Sequence, residues 1–354
     1  MLQYRIRAVS LENFMIFEKL RTDFSPGVNV ISGTNSTGKT VLLKAMYSFS
    51  RALVESQKVK TPYDNVERIF SNKFIGVFRP DEHDLGHLIN KKHGNDKGQV
   101  KIYYNNGNSA TLFFAKQSPD KIEVGFDANA SSASFPNSIY IPPKEIISST
   151  ENFGSIYREY EIAFEETYAD LCYLLEKPLK KQSGCDVQEK IIRDLSKLID
   201  GDVKQNNGKF YLDTNGKESF EMGLLSEGYR KLATLMYLLR SGSLNENTIL
   251  FWDEPEGNMN PKMLLPLAQV LGELSKMGVQ IFIATHSYFV QQAFDFLKRK
   301  DTGLAVNYFS LFFDDEAKVI SVEKQDYVSD LEHNSIMDEF NDVYYREQEL
   351  FYRD

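Results

Sequence analysis

Short apolar runs alternate with amphipathic segments along the last third of the chain. The runs have the length of strands and read TILFW, VQIFIA and LAVNYFSLFF. Between them, PKMLLPLAQVLGELSKM and SYFVQQAFDFLKRK carry apolar residues at the spacing of one helix face. Because continuous apolar strands between amphipathic helices are typical of sheets covered on both faces, this part predicts an α/β core with a largely parallel sheet.

The opening third of the chain has a different pattern, in which strands predominate. Strands are predicted for YRIRAVSL, GVNVIS, QVKIYY, SATLFFAK and KIEVGF, with NNGN as the turn between the third and the fourth. The exception is KTVLLKAMYSFSRALVESQ, whose apolar residues recur at helical spacing. The stripe of this predicted helix consists of Leu42, Ala45, Met46, Phe49, Ala52 and Leu53.

The middle of the chain, from about 155 to 200, predicts helices. Its two helical segments are SIYREYEIAFEETYADLCYLLEK and DVQEKIIRDLSKLID. A hairpin region follows, DVKQNNGKFYLDTNGKES, with Asn-Gly turn signals in two places. We therefore expect a helical and hairpin insert between a β-rich lobe and the α/β core.

A Gly-rich segment joins a buried strand to the first predicted helix. It reads GTNSTGKT, from Gly33 to Thr40, and matches the phosphate-binding pattern G-x-x-x-x-G-K-[ST]. Its glycines allow a tight loop whose N–H groups point at phosphate oxygens, and the helix N-terminus adds its dipole. The alternative is a Gly-rich turn without a ligand, but the flanking strand and helix favour nucleotide binding. The predicted nucleotide contacts are Gly33, Thr34, Asn35, Ser36, Thr37, Gly38, Lys39, Thr40 and Val41.

Four side chains have predicted roles in binding and hydrolysing ATP. Lys39 is expected to reach the β- and γ-phosphates, and Thr40 to ligate Mg²⁺. Asp253, at the end of the strand TILFWD, is the complementary acid and is expected to hold Mg²⁺ directly or through water. Glu254 is expected to position or deprotonate the attacking water. The alternative is a pair of acids that only cap a strand, but the P-loop upstream favours the catalytic interpretation.

The strand IFIA is followed by Thr285, His286 and Ser287. A single histidine is usually structural, but the carboxyl ends of parallel strands meet at one edge of a sheet, where ligands bind. We therefore expect His286 to lie beside the Gly-rich loop and the acid pair. There it is expected to hydrogen-bond the γ-phosphate and to act in catalysis with Glu254 and Lys39.

A fourth motif, LLSEGYRKL, contains a Ser-x-Gly turn before a predicted helix. A serine hydroxyl and helix N–H groups make a small anion site, although Ser-x-Gly is also common before ordinary helices. The order P-loop, helical insert, Leu-Ser-Glu-Gly, Asp-Glu, His resembles the ATP-binding-cassette superfamily, in the branch of soluble SMC, RecF and OLD-type heads. The resemblance covers nearly the whole chain. Within that branch the chain is most similar to stand-alone bacterial ATPases labelled AAA family ATPase, which are related to ATPase subunits of anti-phage defence systems.

The resemblance implies a P-loop NTPase head of the α/β class, with a mostly parallel sheet covered by helices, an antiparallel β lobe and a helical insert. One ABC-type head is expected over 1–354. Its parts are expected to be a P-loop and β-rich lobe at 1–150, a helical and hairpin insert at 151–222, a core with the signature, acid pair and histidine at 223–313, and an acidic tail at 314–354.

The resemblance also implies a composite site between two protomers. In such heads ATP lies between the P-loop of one protomer and the signature turn of the other, so Ser226 and Gly228 are expected to contact the partner's nucleotide. The segment EGNMNP resembles the loop that crosses this interface, with Asn260 as the expected contact. ATP is thus expected to join two subunits, and slow hydrolysis to separate them.

One position departs from the family pattern. Many members have a glutamine at the end of a strand resembling IYIPP, where it helps to ligate Mg²⁺. Pro143 falls there, and proline offers neither an amide side chain nor a backbone N–H. Either Lys144, Glu145 or Gln117 takes the place of this glutamine, or the bound nucleotide and its Mg²⁺ are coupled more weakly to the rest of the head. The candidates for the aromatic residue that stacks on adenine are Phe14 and Phe17.

Composition and charge narrow the class of protein. The net charge of −9 over 354 residues argues against a broad basic surface for nucleic acid, and leaves a local patch such as NKKHGNDKGQVK. No apolar run reaches the roughly 20 residues that cross a bilayer, and the N-terminus lacks the pattern of a signal peptide. Cys172 and Cys185 fit neither a disulfide framework nor a metal-binding spacing. We therefore expect a cytoplasmic protein with free thiols and no membrane contact.

Three functions remain open at this point. The first is an ATPase that dimerises around ATP and gates an effector, either a nuclease or a toxin, in anti-phage defence. Its acidic, apolar tail and helical insert would be the docking surfaces. The second is a DNA-binding ATPase of repair or recombination, with the β-rich lobe on DNA, and the third is a nucleotide-stabilised scaffold with little hydrolysis. We expect neither a coiled-coil arm, since sustained heptads are lacking, nor a C-terminal nuclease module, which favours the first.

Overall fold

Three β-sheets and the helices around them make up the described part of the protein. The computed structural model describes residues 4–58, 63–94, 96–126, 135–160, 162–180, 186–214 and 218–351. Within these ranges no helix is long and apolar enough to cross a membrane. The predicted α/β class, with a mostly parallel sheet and an antiparallel β lobe, is confirmed.

The first sheet is antiparallel and forms the β lobe. Its strands are β1 Ile6–Phe14, β2 Phe17–Asp23, β4 Lys97–Tyr104, β5 Ser109–Ala115 and β6 Glu123–Phe126. They lie in the order β2-β1-β4-β5-β6. Buried and more exposed residues alternate along β4 and β5, so one face of this sheet packs on the core and the other meets solvent.

The second sheet is central and has six strands. They are β3 Val28–Gly33, β7 Asn137–Ile141, β11 Thr248–Asp253, β12 Gln280–Ala284, β13 Val306–Asp314 and β14 Val319–Gln325. Their order is β14-β13-β3-β12-β11-β7, and every neighbouring pair is parallel except β13 and β14. All residues of β3, β11 and β12 are buried, because both faces of the sheet are covered.

Helices cover the central sheet, and a small antiparallel sheet packs among them. The helices are α1 Lys39–Lys58, α2 Tyr63–Phe78, α3 Phe153–Glu159, α4 Glu166–Leu175, α5 Asp186–Ile199, α6 Glu227–Arg240, α7 Leu264–Met277, α8 Tyr288–Lys300 and α9 Ser335–Phe351. The small sheet has the order β10-β9-β8, from β8 Gly201–Asn206, β9 Lys209–Thr214 and β10 Glu218–Glu221. Val30 of β3 belongs to a hydrophobic cluster with α4 to α8, and Ile31 to a second cluster with α1, α2 and the β lobe.

The structure differs from the sequence prediction in the middle and at the end of the chain. The first of the two helices predicted after 155 breaks after α3, where Tyr160 is extended and the Arg79 guanidinium binds the carbonyl of Phe164 at 2.7 Å. Helix α2 was not predicted, and the acidic tail contributes β14 to the central sheet before it forms α9. Cys185 and the second predicted Asn-Gly turn lie outside the described residues. The predicted part boundaries at 150, 222 and 313 stay predictions.

Candidate active site

Three neighbouring strands of the central sheet end at the same edge. Strand β12 pairs in parallel with β3 on one side and with β11 on the other. Their carboxyl ends lead into the Gly-rich loop, into Asp253 and Glu254, and into Thr285 and His286. The fold therefore brings together the polar clusters that the sequence predicted at one sheet edge.

The Gly-rich loop needs glycine at both of its ends. Gly33 has φ +146°, and a Cβ there would lie 2.2 Å from the carbonyl oxygen of Leu311. Gly38 has φ +93°, and a Cβ there would lie 2.6 Å from the ring of Phe17. Helix α1 begins directly after this turn, with the N–H of Leu42 donating to the carbonyl of Gly38 at 2.8 Å. The loop thus curves tightly and presents the start of a helix, as phosphate binding requires.

The ammonium group of Lys39 lies inside this loop. It donates to the carbonyl oxygens of Gly33 and Thr34, both at 2.8 Å, and the residue is almost fully buried. Burial lowers the pKa of Lys39 to about 8, and the carboxylates of Asp253, Glu254 and Glu256 oppose this shift. As nucleotide ligands all the predicted loop residues stay predictions: Gly33, Thr34, Asn35, Ser36, Thr37, Gly38, Lys39, Thr40 and Val41.

Asp253 carries the carboxylate predicted to bind metal. Its Oδ2 accepts hydrogen bonds from the Thr40 hydroxyl at 2.9 Å and from the Tyr140 hydroxyl at 3.0 Å. Burial raises the pKa of Asp253, and these two hydrogen bonds oppose the shift. The oxygens of Thr40 and Asp253 are hard donors of the kind Mg²⁺ prefers, so the pair fits that ion. Among the described residues, no group of three or more His, Cys, Asp or Glu could hold a metal ion.

Glu254 and His286 face each other at the exposed side of this edge. The His286 Nε2 lies 3.6 Å from the Glu254 Oε1, and both side chains are partly exposed. Burial and the Lys39 charge lower the pKa of His286 despite its two acidic neighbours, so its ring is largely uncharged at neutral pH. The backbone of Glu254 has φ 49°, in the left-handed region that is uncommon for a side chain of this size.

Glu256 belongs to the site although the sequence analysis did not single it out. Its Oε1 accepts hydrogen bonds from the Thr285 hydroxyl at 2.6 Å and from the N–H of His286 at 2.8 Å. This carboxylate therefore fixes the segment that carries the histidine. No local motif signals such a role, since the partners lie about 30 residues further along the chain.

The signature turn and the interface loop have local structures of their own. Ser226 precedes α6 and is exposed, and in the described part of the chain its hydroxyl does not cap the helix. Asn260 accepts a hydrogen bond from the N–H of Lys262 at 3.0 Å, and so caps the short 3₁₀ turn before α7. Contacts of Ser226, Gly228 and Asn260 with a partner's nucleotide stay predictions.

Tyr140 is a further residue of the site that was not predicted from the sequence. Glu145 forms an ion pair with Arg230 at 2.7 Å and accepts a hydrogen bond from Ser148 at 2.6 Å. Lys144 is exposed, and Gln117 is exposed in the turn after β5. Among the described contacts, it is the Tyr140 hydroxyl of β7 that reaches Asp253. Substitution of the family's glutamine by Lys144, Glu145 or Gln117 stays a prediction.

Neither candidate for adenine stacking is available to a base. Phe14 and Phe17 are fully buried. Phe14 packs against Phe74 and Phe114 with ring centroids 6.3 and 5.3 Å away. Because these rings fill the core between the β lobe and its helices, the prediction that Phe14 or Phe17 stacks on adenine is wrong.

The sheet and the groups at its edge define a P-loop ATPase with a head of the ABC and SMC type. The model of the family described as "AAA domain, putative AbiEii toxin, Type IV TA system" matches residues 28–290, and the chain belongs to this family. Membership implies ATP binding, in agreement with the sequence prediction.

Short segments of the chain are also similar in sequence to RecF proteins. The DNA replication and repair protein RecF of Lactobacillus gasseri is 39% identical over 67 residues, which are 19% of this chain and 17% of that protein. RecF of Streptococcus uberis is 32% identical over 95 residues, or 27% of this chain and 25% of that protein. These matches span a quarter or less of each relative's length.

Two solved SMC heads are similar in fold. An SMC head bound to the C-winged helix domain of ScpA has a TM-score of 0.57 at 13% identity, covering 92% of this chain and 98% of that one. The SMC head domain from Thermotoga maritima has a TM-score of 0.51 at 13% identity, covering 91% and 99%. At this identity the likeness shows the fold alone.

Proposed function

We propose that this protein is an ATP-hydrolysing switch that dimerises around Mg-ATP and gates an effector protein, a nuclease or a toxin, in anti-phage defence. The observation that carries the proposal is the arrangement at the sheet edge. Thr40 bonds to Asp253 at 2.9 Å, and Glu254 faces His286 at 3.6 Å, beside the Gly-rich loop. The family description, which names a toxin of a type IV system, supports the effector part.

In this proposal the chain's own groups bind the nucleotide, orient it and move one proton. The Gly-rich loop and Lys39 hold the phosphates, and Thr40 and Asp253 supply oxygens for Mg²⁺. When bound, that ion neutralises charge on the phosphates. Glu254 accepts a proton from the attacking water, whose oxygen bonds to the γ-phosphorus while the bond to the bridging oxygen breaks. The uncharged His286 donates a hydrogen bond to the γ-phosphate.

A second copy of the chain completes the proposed site. Ser226 is exposed at the start of α6. A Cβ at Gly228 would meet Met259 at 3.4 Å, an ordinary contact distance, so packing within the chain does not require glycine there. Gly228 itself is buried in its own subunit, so the exposed Ser226 is the residue of this turn that is expected to meet a partner's phosphate first.

The proposed docking surface for the effector is the exposed apolar face of α9. It consists of Phe340, Val343, Tyr344, Leu350 and Phe351. No residue of α9 is buried, and an apolar face of this kind marks an interaction site in a soluble protein. Its five carboxylates outnumber the single basic residue, Arg346. The effector is therefore expected to present a basic, apolar groove.

The proposal is tested by replacing the base. Glu254→Gln keeps the size of the side chain and is expected to preserve ATP binding while it blocks hydrolysis. Solution mass is measured by light scattering with and without Mg-ATP. Glu246→Gln is the matched control, because Glu246 is exposed in the turn before β11.

A dimer of Glu254→Gln that forms only with Mg-ATP would support the switch. The wild type and Glu246→Gln are then expected to dimerise transiently and to release phosphate. If the mass stays the same in every condition, the ATP-dependent dimer is wrong, and a nucleotide-stabilised scaffold would explain the fold better.

A second candidate function, DNA binding by the β lobe, is favoured by a basic cluster on its solvent face. The side chains of Arg7, Arg21 and Lys101 lie 5.8, 5.3 and 5.0 Å from the ring centroid of Tyr103. None of the three cations has a carboxylate partner in the described part of the chain. Lys101 is the last residue of the predicted patch NKKHGNDKGQVK, whereas Lys92 of the same patch is already paired with a carboxylate at 2.8 Å. Similarity to RecF supports this candidate.

This second candidate is tested with labelled duplex DNA over a range of salt concentrations. Unpaired cations on one face are expected to give binding that weakens as salt rises. The double change Arg21→Glu and Lys101→Glu should abolish it, and Lys190→Glu, on the outer surface of α5, should not. If the wild type shows no binding at about 50 mM salt, where phosphate contacts are strong, this candidate is wrong.

A further inference from the structure

Lys231 is a buried lysine on the helix that follows the signature turn. Only 1% of the residue is exposed to solvent. Lysine is almost never fully buried unless its ammonium group is paired. The ammonium group donates to the carbonyl oxygens of Glu254 at 3.0 Å and Gly257 at 2.8 Å. Its third neighbour is the carboxylate of Glu227, at 3.9 Å. The lysine therefore joins α6 to the main chain just after the catalytic acid pair.

The turn that Lys231 holds has a strained backbone. Glu254 has φ 49° and Asn258 has φ 56°, both in the left-handed region. Asparagine tolerates this region, whereas glutamate occupies it only when its surroundings hold it there. The N–H of Gly257 donates back to the carbonyl of Glu254 at 3.1 Å, and Lys231 binds both carbonyls of this turn. The lysine thus fixes the direction in which the Glu254 side chain leaves the strand.

Two acidic residues extend the connection that Lys231 makes, one towards the start of α6 and one towards His286. Glu227, in the first turn of α6, accepts a hydrogen bond from the Asn258 amide at 2.7 Å. Glu256, inside the same turn, holds Thr285 and His286. A displacement of the start of α6 is therefore carried to the base and to the histidine together.

We propose that Lys231 is a positioning residue that couples the signature end of α6 to the catalytic Glu254 of the same subunit. The inference rests on the proposed function, in which α6 faces the partner's nucleotide while Glu254 acts on the nucleotide of its own subunit. Lys231 then makes each site respond to the occupancy of the other. The ligand that α6 reads is the γ-phosphate of ATP bound to a second copy of the chain.

The test replaces Lys231 by Met, which keeps the length of the side chain and removes its donors. Lys190→Met is the matched control, since it makes the same change at an exposed position on α5. The kcat of Lys231→Met is expected to fall about tenfold or more, while its Kd for a fluorescent ATP analogue changes by less than about threefold. The Hill coefficient for ATP should fall towards one. Lys231→Arg keeps the charge and is expected to recover part of kcat.

A double-mutant cycle separates positioning from general support of the fold. If Lys231 acts through Glu254, adding Lys231→Met to Glu254→Gln should leave the slow residual single-turnover rate of Glu254→Gln unchanged. An additive loss in the double variant would overturn the inference, and so would a kcat equal to that of Lys190→Met. Melting temperatures of all variants show that each is folded at the assay temperature. If the wild type itself hydrolyses no ATP, the proposed function fails first and the inference falls with it.

Discussion

At the scale of single residues, the hydroxyl of Tyr140 is the least expected part of the site. It shares Oδ2 of Asp253 with the Thr40 hydroxyl, at 3.0 and 2.9 Å. Hydrogen bonds to a carboxylate favour its charged form, and so oppose the effect of burial on this acid. The tyrosine is itself fully buried against Tyr47, with ring centroids 5.3 Å apart, so its hydroxyl is held in place.

Tyr140→Phe is expected to weaken the response to Mg²⁺. The ring stays and one hydrogen bond to a charged group is lost, which is worth about 1.5 kcal/mol, or about a tenfold rise in the Mg²⁺ concentration for half-maximal ATP hydrolysis. Binding of a fluorescent ATP analogue without Mg²⁺ should not change. The control is Tyr237→Phe, which also loses a buried hydroxyl donor, to the carbonyl of Lys177 at 2.9 Å. The same Mg²⁺ response in both variants and the wild type would contradict this role.

A buried ion cluster behind the site joins helices α1, α2 and α4. Lys73 lies 3.1 Å from Asp170 and is paired with Glu166, and the Tyr47 hydroxyl donates to Asp170 at 2.6 Å. Burial raises the pKa of Glu166 to about 6, against the attraction of Lys73. The folded protein therefore binds a proton at Glu166 more tightly than the unfolded chain does.

This shift predicts the direction of a pH effect on stability. The contribution of protonated Glu166 is fully present below pH 4.5, its unfolded pKa, and is lost as the pH rises through the folded value of about 6. From about one pH unit below 4.5 to about one unit above 6, the wild type should lose about 2 kcal/mol of unfolding free energy relative to Glu166→Gln. Denaturant unfolding of both proteins at about pH 3.5 and about pH 7.5 measures the change. A constant difference between the two proteins would contradict the prediction.

At the scale of elements, α9 stands apart from the other helices. No residue of α9 is buried, whereas α6 and α7 bury residues along most of their length. The ring of Phe340 stacks on Tyr288 at 4.5 Å, which ties the helix to the start of α8. Met337, in the first turn of α9, is partly buried against the main core cluster. Because the rest of the helix makes few apolar contacts, α9 contributes only modestly to the stability of the fold.

Removal of α9 is therefore expected to leave the fold intact. A chain that ends at Asn334 should lose about 2 kcal/mol of unfolding free energy, for one aromatic pair and the partly buried Met337. Leu274→Ala in α7 is the contrast, because Leu274 is fully buried and its truncation should cost about 2–5 kcal/mol. Denaturant unfolding compares the two. A shortened chain that fails to fold would show that α9 is structural.

At the scale of the whole molecule, dimerisation around nucleotide couples stability to protein concentration. A ligand or partner that binds only the folded state stabilises it by mass action. In Mg-ATP, the melting temperature of Glu254→Gln should rise with protein concentration, since each tenfold step adds about 1.4 kcal/mol per dimer. Without nucleotide the melting temperature should stay constant. A constant value in both conditions would mean that ATP does not join two subunits.

Features that depend on residues close together in the sequence were predictable, and features that depend on contacts between distant parts of the chain were not. The helix stripe from Leu42 to Leu53 is buried as predicted, because helical spacing alone puts those residues on one face. The middle helix was predicted as one segment and breaks, because contacts from Arg79, more than 80 residues earlier in the chain, hold the break. Local propensity carries no information about such contacts.

The sequence by itself determined the class of fold, the Gly-rich loop and the set of polar groups at the strand ends. These features depend on residues that are neighbours in the chain, and parallel strands must bring their ends to one edge. Only the tertiary structure decided that Tyr140 bonds to Asp253, 113 residues away, and that Lys231 binds the turn after the acid pair. Such contacts depend on the register between strands and on the packing of α6, which no short motif encodes.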